Sequence, residues 1–139
     1  MIGILIVTHC HLADEFILAT EMVAGELEQI SGISIDPKGS VEELRAQVAK
    51  GIKEVDTGDG VLILTDMFGG TPSNICLSLL EEGKVEVLSG INLPMLIKVC
   101  TSRENKELRE LAGLIMKYGQ KNISLASEIL KKREKNKKQ

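Results

Sequence analysis

The chain of 139 residues has very few aromatic side chains. Aromatics make up 2% of the sequence, namely Phe16, Phe68 and Tyr118, and tryptophan is absent. Proteins that bind single-stranded nucleic acid stack bases on aromatic side chains, so this class of function is disfavoured. Because 43% of the residues are nevertheless hydrophobic, the core must be aliphatic, built from isoleucine, leucine, valine and alanine.

Cysteines and long hydrophobic runs are also scarce. The three cysteines, Cys10, Cys76 and Cys100, are odd in number and form no CxxC pair, which disfavours a disulfide framework and a zinc ribbon. The apolar run at the start of the chain ends after about eight residues, too few for a signal peptide or a membrane span. We therefore expect a cytoplasmic protein with reduced thiols and no direct membrane insertion, with Cys76 and Cys100 as small core residues.

Charge is distributed unevenly. Residues 131–139 carry six basic side chains and one acidic, whereas residues 1–130 carry 11 basic and 19 acidic, a net charge of −8. An acidic body disfavours general nucleic-acid binding. The basic run is typical of a solvated terminus. We expect one domain over residues 1–130, followed by a basic polar tail over residues 131–139.

Short apolar runs alternate with helical patterns along the chain. The first and third runs are continuous, as is typical of strands buried on both faces of a parallel sheet. Strands that alternate with helices predict an α/β fold with a mainly parallel sheet of four strands. A last strand at residues 122–125 stays open, before a polar, mostly helical tail. The predicted strands are 2–8, 30–35, 61–65 and 85–88, and the predicted helices are 12–28, 40–55, 71–82, one opening at 92–94, and 104–118.

Polar residues follow the first and third predicted strands. His9 comes after the first and Asp66 directly after the third. Ligands bind at the carboxyl ends of such strands, near the point where strand order reverses, and strands one and three are commonly neighbours there. We therefore expect His9 and Asp66 to face one another. A carboxylate that accepts one ring N–H fixes the imidazole tautomer and leaves the other nitrogen as a nucleophile.

The segment after Asp66 favours a phosphoryl group as the electrophile. Gly69 and Gly70 allow close backbone approach, and Thr71 offers a hydroxyl and a helix cap before Pro72, predicted as the first helical residue. A helix start suits an anion. The loop has no lysine and no P-loop pattern, so nucleotide binding is not indicated. Taken singly, each of these residues is also typical of an ordinary strand-to-helix turn.

Two further features near the site have alternative interpretations. His9 and His11 could bind a metal, but they need further ligands that no cysteine–histidine cluster supplies, so we expect no metal. Phe68 either closes the edge of the core or is an exposed anchor for a protein partner.

Four motifs occur at a characteristic spacing along the chain, namely Ile4–His9, Leu12-Ala13, Leu64–Asn74 and Ser89–Met95. Together they resemble the mannose-family enzyme IIA domain of the bacterial sugar phosphotransferase system. The resemblance covers about residues 1–127 and implies a doubly wound α/β fold with helices on both faces, forming a homodimer that exchanges a terminal strand. It also implies that His9 is phosphorylated on Nε2, that Asp66 bonds the Nδ1 side, and that Thr71 with the backbone of Gly69 and Gly70 holds the phosphate.

The resemblance further implies a phosphotransferase component without a cofactor. It would receive phosphate from the histidine-containing phosphocarrier protein and pass it to a IIB component for mannose-type sugar uptake, with Phe68 near the partner surface. No IIB domain follows, so we expect the acceptor to be a separate polypeptide. Cys10 stands where the family often has glycine, and it is strained if that position needs a positive φ.

Three rival functions stay open. One is a regulatory module whose phosphorylation reports carbon supply without transport. Another is the phosphotransfer subunit of a dihydroxyacetone kinase, although the Gly-Gly-Thr-Pro segment favours the mannose branch. The third is a metal-binding module that uses His9 and His11.

Overall fold

A computed structural model describes residues 1–138, which form a four-stranded sheet and six helices. All strand pairs are parallel and the strand order is β2-β1-β3-β4. The α/β fold with a parallel sheet that the sequence predicts is therefore confirmed. The elements are β1 (Gly3–His9), α1 (Leu12–Ala24), β2 (Ile30–Ile35), α2 (Val41–Val55), β3 (Val61–Thr65), α3 (Gly70–Leu77), β4 (Val85–Ser89), α4 (Leu93–Ser102), α5 (Leu108–Lys121) and α6 (Ala126–Lys137).

Alternating side chains of the strands build two aliphatic core layers, one on each face of the sheet. On one face, α1, α4 and α5 cover the even-numbered residues of β1 and β3; on the other, α2 and α3 cover the odd-numbered ones. This double coverage explains why both central strands are continuous apolar runs. The first layer includes Ile4, Ile6, Leu62, Leu64, Leu96 and Leu111, and the second includes Leu5, Val7, Val48, Ile63, Ile75 and Cys76.

Several element ends differ from the predicted ones. Helix α1 stops at Ala24, because Gly25 has a φ of +84° and its N–H bonds back to Glu21, and α3 stops at Leu77. Residues 122–125 form no strand here: Asn122 caps the end of α5, and the following residues lead into α6. A strand needs a neighbouring strand to satisfy its backbone, and no strand pairs with these residues in the chain described.

The strand order places the carboxyl ends of β1 and β3 side by side at one edge of the sheet. β1 pairs with β2 on one side and β3 on the other, and the register sets Val7 opposite Thr65. Strand order reverses between β1 and β3, so the loops that follow them diverge and leave a crevice. Within residues 1–138, no helix is long and apolar enough to cross a membrane.

Candidate functional site

His9 and Asp66 are in direct contact across this crevice. His9 is the last residue of β1, and its Nδ1 lies 2.8 Å from Oδ2 of Asp66, the residue after β3. The same oxygen accepts the backbone N–H of His9 at 3.0 Å. Because an ionised carboxylate only accepts hydrogen bonds, the proton of a neutral imidazole belongs on Nδ1. Nε2 therefore carries the free lone pair.

Asp66 is held in its charged form. Burial alone raises the pKa of Asp66, but the hydrogen bonds from the ring and backbone of His9 outweigh it, and the pKa lies below its ordinary value of 3.8. The Asp66 side chain is 13% exposed, whereas that of His9 is 45% exposed. The carboxylate is thus a largely enclosed acceptor, while the ring that it orients stays open to solvent.

The start of α3 lies beside the free nitrogen of His9. A Cβ placed on Gly70 would lie 3.3 Å from His9 Nε2 and 3.4 Å from Cε1, tighter than most side-chain contacts. Gly70 also has a φ of +80° and Gly69 a φ of +91°, a region in which L-residues are strained. Glycine is needed at position 70 both for the turn and for access to Nε2. The first N–H groups of α3 lack intrahelical partners, which suits an anion here.

Thr71 does not cap α3, so that prediction is wrong. Gly69 is the N-cap residue, α3 begins at Gly70, and no side chain caps its start. Pro72 therefore lies inside the first turn instead of opening the helix. The turn into the helix is made by Gly69 and Gly70, which both have positive φ angles, so it is complete before Thr71. Thr71 remains exposed in the first turn of α3.

The chain reverses sharply after His9. Cys10 is exposed and has a φ of +49°, so the strain expected for a positive φ at this position is present. The hydroxyl of Thr8 accepts the N–H of Ala13 at 2.8 Å and ties β1 to the start of α1. His11 is 85% exposed, with its Nδ1 3.9 Å from the Asp14 carboxylate. In residues 1–138, no group of three or more histidine, cysteine or acidic side chains is placed to hold a metal ion.

Exposed apolar side chains follow both His9 and Asp66 in the chain. Phe68 is 75% exposed and Met67 is 53% exposed, both in the loop between Asp66 and α3. Leu12, at the start of α1, is 46% exposed. Phe68 therefore does not close the edge of the core. Of the two interpretations, an exposed anchor for a partner is the one that its position supports.

Two hydroxyl residues behind the site, the buried Thr65 and the half-buried Ser89, have no assigned role in the sequence-based prediction. Thr65 Oγ1 lies 2.8 Å from Ser89 Oγ and 3.4 Å from the carbonyl oxygen of Met67. The Thr65 carbonyl accepts the N–H groups of Gly90 and Ile91 at 3.0 and 3.2 Å. The available signal was a hydroxyl residue closing each of two apolar strands, VLILT and VEVLS.

Comparison with known proteins identifies the family. A family model described as "PTS system fructose IIA component" matches residues 3–116. The chain belongs to the mannose-family enzyme IIA components of the sugar phosphotransferase system. The resemblance seen in the sequence motifs is thereby confirmed, and the doubly wound architecture is that of an enzyme IIA.

Relatives and solved structures agree with this assignment. The chain is 32% identical over 126 residues to a sorbose-specific EIIA component of Lacticaseibacillus casei, covering 90% of this chain and 91% of that one. It is 31% identical to a mannose-specific EIIAB component of Escherichia coli K12, covering 88% of this chain but only 38% of that longer protein. An EIIA crystal structure from Streptococcus agalactiae superposes with a TM-score of 0.82 at 30% identity, covering 92% and 99% of the two chains.

Proposed function

We propose that this enzyme IIA is a cytoplasmic phosphoryl carrier that works through His9. It would accept phosphate from the histidine-containing phosphocarrier protein and pass it to a IIB component during mannose-type sugar uptake. The observation that carries the proposal is the 2.8 Å contact between His9 Nδ1 and Asp66 Oδ2, which leaves Nε2 free beside the start of α3. The family assignment supports the reaction class.

The transfer step follows from the protonation state of the ring. The Nε2 lone pair of His9 attacks phosphorus while the P–N bond to the donor histidine breaks, and the electron pair of that bond returns to the donor ring. The His9 ring keeps its proton on Nδ1 and gains positive charge as the new P–N bond forms. The Asp66 carboxylate stabilises that charge through the existing hydrogen bond. Passing the phosphate to a IIB component reverses these steps.

The start of α3 is the proposed phosphate subsite. The backbone N–H groups of Gly69, Gly70 and Thr71 would bind phosphate oxygens, and the exposed Thr71 hydroxyl would add a donor. The positive φ angles at the two glycines shape this turn, and the missing side chain at Gly70 leaves space next to Nε2. In this proposal the same residues stabilise the charge on the phosphate, and we expect no cofactor.

A phosphorylation assay tests the proposal. With phosphoenolpyruvate, enzyme I and the phosphocarrier protein, the chain should acquire label that is labile to acid and stable to alkali, as phosphohistidine is. His9→Ala should abolish the label and Asp66→Asn should slow labelling by about 100-fold. The matched control is His11→Ala, which removes a nearby exposed histidine and should label normally. Label that persists in His9→Ala would refute the assignment.

We also propose that the protein is a homodimer. β4 lies at one edge of the sheet, paired in parallel only with β3 within residues 1–138. Downstream of α5, Ile123 is 77% exposed and Leu125 is 62% exposed, so an apolar segment is left without a covering surface. Pairing of this segment with β4 of a second copy would satisfy both surfaces.

The dimer is tested by the molar mass in solution. Size-exclusion chromatography with light scattering should give twice the chain mass at micromolar concentration, and Ile123→Lys combined with Leu125→Lys should give the monomer. Met22→Lys is the matched control, because Met22 is 89% exposed on α1 and lies outside the proposed interface. A monomeric wild-type protein would rule out this arrangement.

A further inference from the structure

The loop that carries Asp66 is anchored mainly by hydrogen bonds. Met67 and Phe68 are both more than half exposed, so burial contributes little to its position. Asp66 itself must stay within hydrogen-bond reach of His9 for the ring tautomer to be fixed. What holds the loop between Asp66 and α3 therefore controls the geometry of the imidazole.

Thr65 is the residue best placed to hold this loop. It is fully buried, ends β3, and directly precedes Asp66. The Met67 carbonyl and the Ser89 hydroxyl both lie within reach of Thr65 Oγ1, at 3.4 and 2.8 Å. One hydroxyl hydrogen cannot serve both contacts, but both are satisfied when Ser89 donates to Thr65 and Thr65 donates to Met67.

Met67 is thereby fixed at both of its backbone groups. Its N–H donates to Asp66 Oδ1 at 3.0 Å, and its carbonyl faces the Thr65 hydroxyl. The other carboxylate oxygen, Oδ2, contacts the ring and the backbone N–H of His9. A continuous path of hydrogen bonds thus runs from the end of β4, through Ser89, Thr65 and Met67, to the imidazole.

We propose that the Thr65–Ser89 hydroxyl pair positions Asp66 and so keeps His9 in the tautomer with its proton on Nδ1. Thr65 acts through Met67 and Asp66 and does not touch the reacting atoms, so it is a positioning residue. The consequence for phosphoryl transfer rests on the function proposed above. The tautomer itself is a property of the unphosphorylated protein and is measured without any partner.

The decisive variant is Thr65→Val, which keeps the shape of the side chain and removes the hydroxyl. In ¹⁵N spectra of the imidazole, wild-type His9 should show a protonated Nδ1 and a bare Nε2, and Thr65→Val should show a mixture of the two tautomers. Initial rates of phosphorylation should fall about fivefold, the factor that corresponds to one net hydrogen bond. Thr65→Ser restores the hydroxyl and should recover both readouts.

Two further variants keep the test decisive. Thr20→Val is the matched control, because Thr20 is equally buried and its hydroxyl bonds only the Phe16 carbonyl in α1. It should leave the His9 tautomer and the rate unchanged. Ser89→Ala provides the same test if Thr65→Val does not fold, and should shift the tautomer in the same direction.

The outcomes separate this inference from the proposed function. A wild-type tautomer in folded Thr65→Val, or in Ser89→Ala if that variant is needed, would overturn the inference even if His9 is phosphorylated normally. Conversely, a tautomer shift in a protein that the phosphocarrier never labels would support the positioning role and refute the proposed function.

Discussion

At the scale of single residues, the Asp66 carboxylate titrates in response to its histidine partner. Burial raises the pKa of Asp66, but the hydrogen bonds from His9 lower it by a larger amount. The folded-state pKa is therefore below 3.8. A lowered folded-state pKa means that the stabilisation is fully present above the unfolded-state value and is lost as the pH falls through the folded-state value.

The direction of this pKa shift predicts how Asp66 titrates with and without His9. The ¹³C carboxyl shift of Asp66 should titrate below pH 3.8 in the wild-type protein. In His9→Ala, the pKa of Asp66 should rise, because burial remains while the ring hydrogen bond is gone. An unchanged pKa in His9→Ala would show that the ring does not hold the carboxylate in its charged form.

Cys10 offers a second test at this scale. Its φ of +49° costs an L-residue about 1 kcal/mol, which glycine avoids at the expense of greater freedom in the unfolded chain. We expect Cys10→Gly to change the free energy of unfolding by at most about +0.5 kcal/mol and Cys10→Val to lower it by about 1–2 kcal/mol. Urea denaturation measures both.

The same change at another cysteine is the control. Cys100 lies within α4, where glycine is unfavourable, so Cys100→Gly should lower the free energy of unfolding by about 1 kcal/mol. Equal losses for Cys10→Gly and Cys100→Gly would contradict the strain assigned to position 10.

At the scale of elements, α6 differs from the other helices. It contains no buried residue, and its second half lies in the basic segment. Short helices gain most of their stability from packing of an apolar face, and α6 has no such contribution within the chain described. We propose that residues 1–130 form the domain and residues 131–139 a tail.

Truncation tests that division. Removal of residues 131–139 should change the free energy of unfolding by less than about 0.5 kcal/mol, because exposed positions contribute little. For comparison, Leu111 in α5 is fully buried, and Leu111→Ala should cost about 2–5 kcal/mol. A truncated chain that loses stability on the scale of Leu111→Ala would place the tail inside the folding unit.

At the scale of the whole molecule, Arg103 joins distant parts of the chain at the edge opposite His9. It is 5% exposed, follows α4, and its guanidinium donates to the carbonyls of Ile2 at 3.5 Å, Gln29 at 3.3 Å, and Glu28. Burial lowers the pKa of Arg103, as expected for a charge removed from water. The start of β1, the entry to β2 and the end of α4 thus share one side chain.

Replacement of the Arg103 guanidinium should therefore lower the free energy of unfolding. Arg103→Lys keeps the charge but loses the two-branched guanidinium that reaches three carbonyls, and we expect a loss of about 2–3 kcal/mol in the free energy of unfolding. Arg109→Lys, at an exposed position in α5, should stay within about 0.5 kcal/mol of the wild-type value. Chemical denaturation of the two variants side by side decides the point.

The sequence predicted the fold and the central pair because periodicity and strand ends are local signals. The alternation of strands and helices gave the parallel sheet, and the positions of His9 and Asp66 after β1 and β3 gave their contact. Thr65 and Arg103 were not predicted, because their roles depend on carbonyls and hydroxyls brought close only by the fold. The error at Thr71 arose because the backbone angles of two glycines cannot be read from residue type alone.

The half-exposed ring of His9 has a consequence for inhibition. With 45% of the side chain open to solvent, Nε2 of His9 lies next to the backbone of Gly70, and Phe68 is exposed in the loop that leads to α3. Small molecules gain affinity chiefly from enclosed pockets, so on the proposed function such an open ring favours a ligand that covers more surface. A rigid peptide or miniprotein that covers Phe68 and presents an anionic group to the start of α3 is the better antagonist.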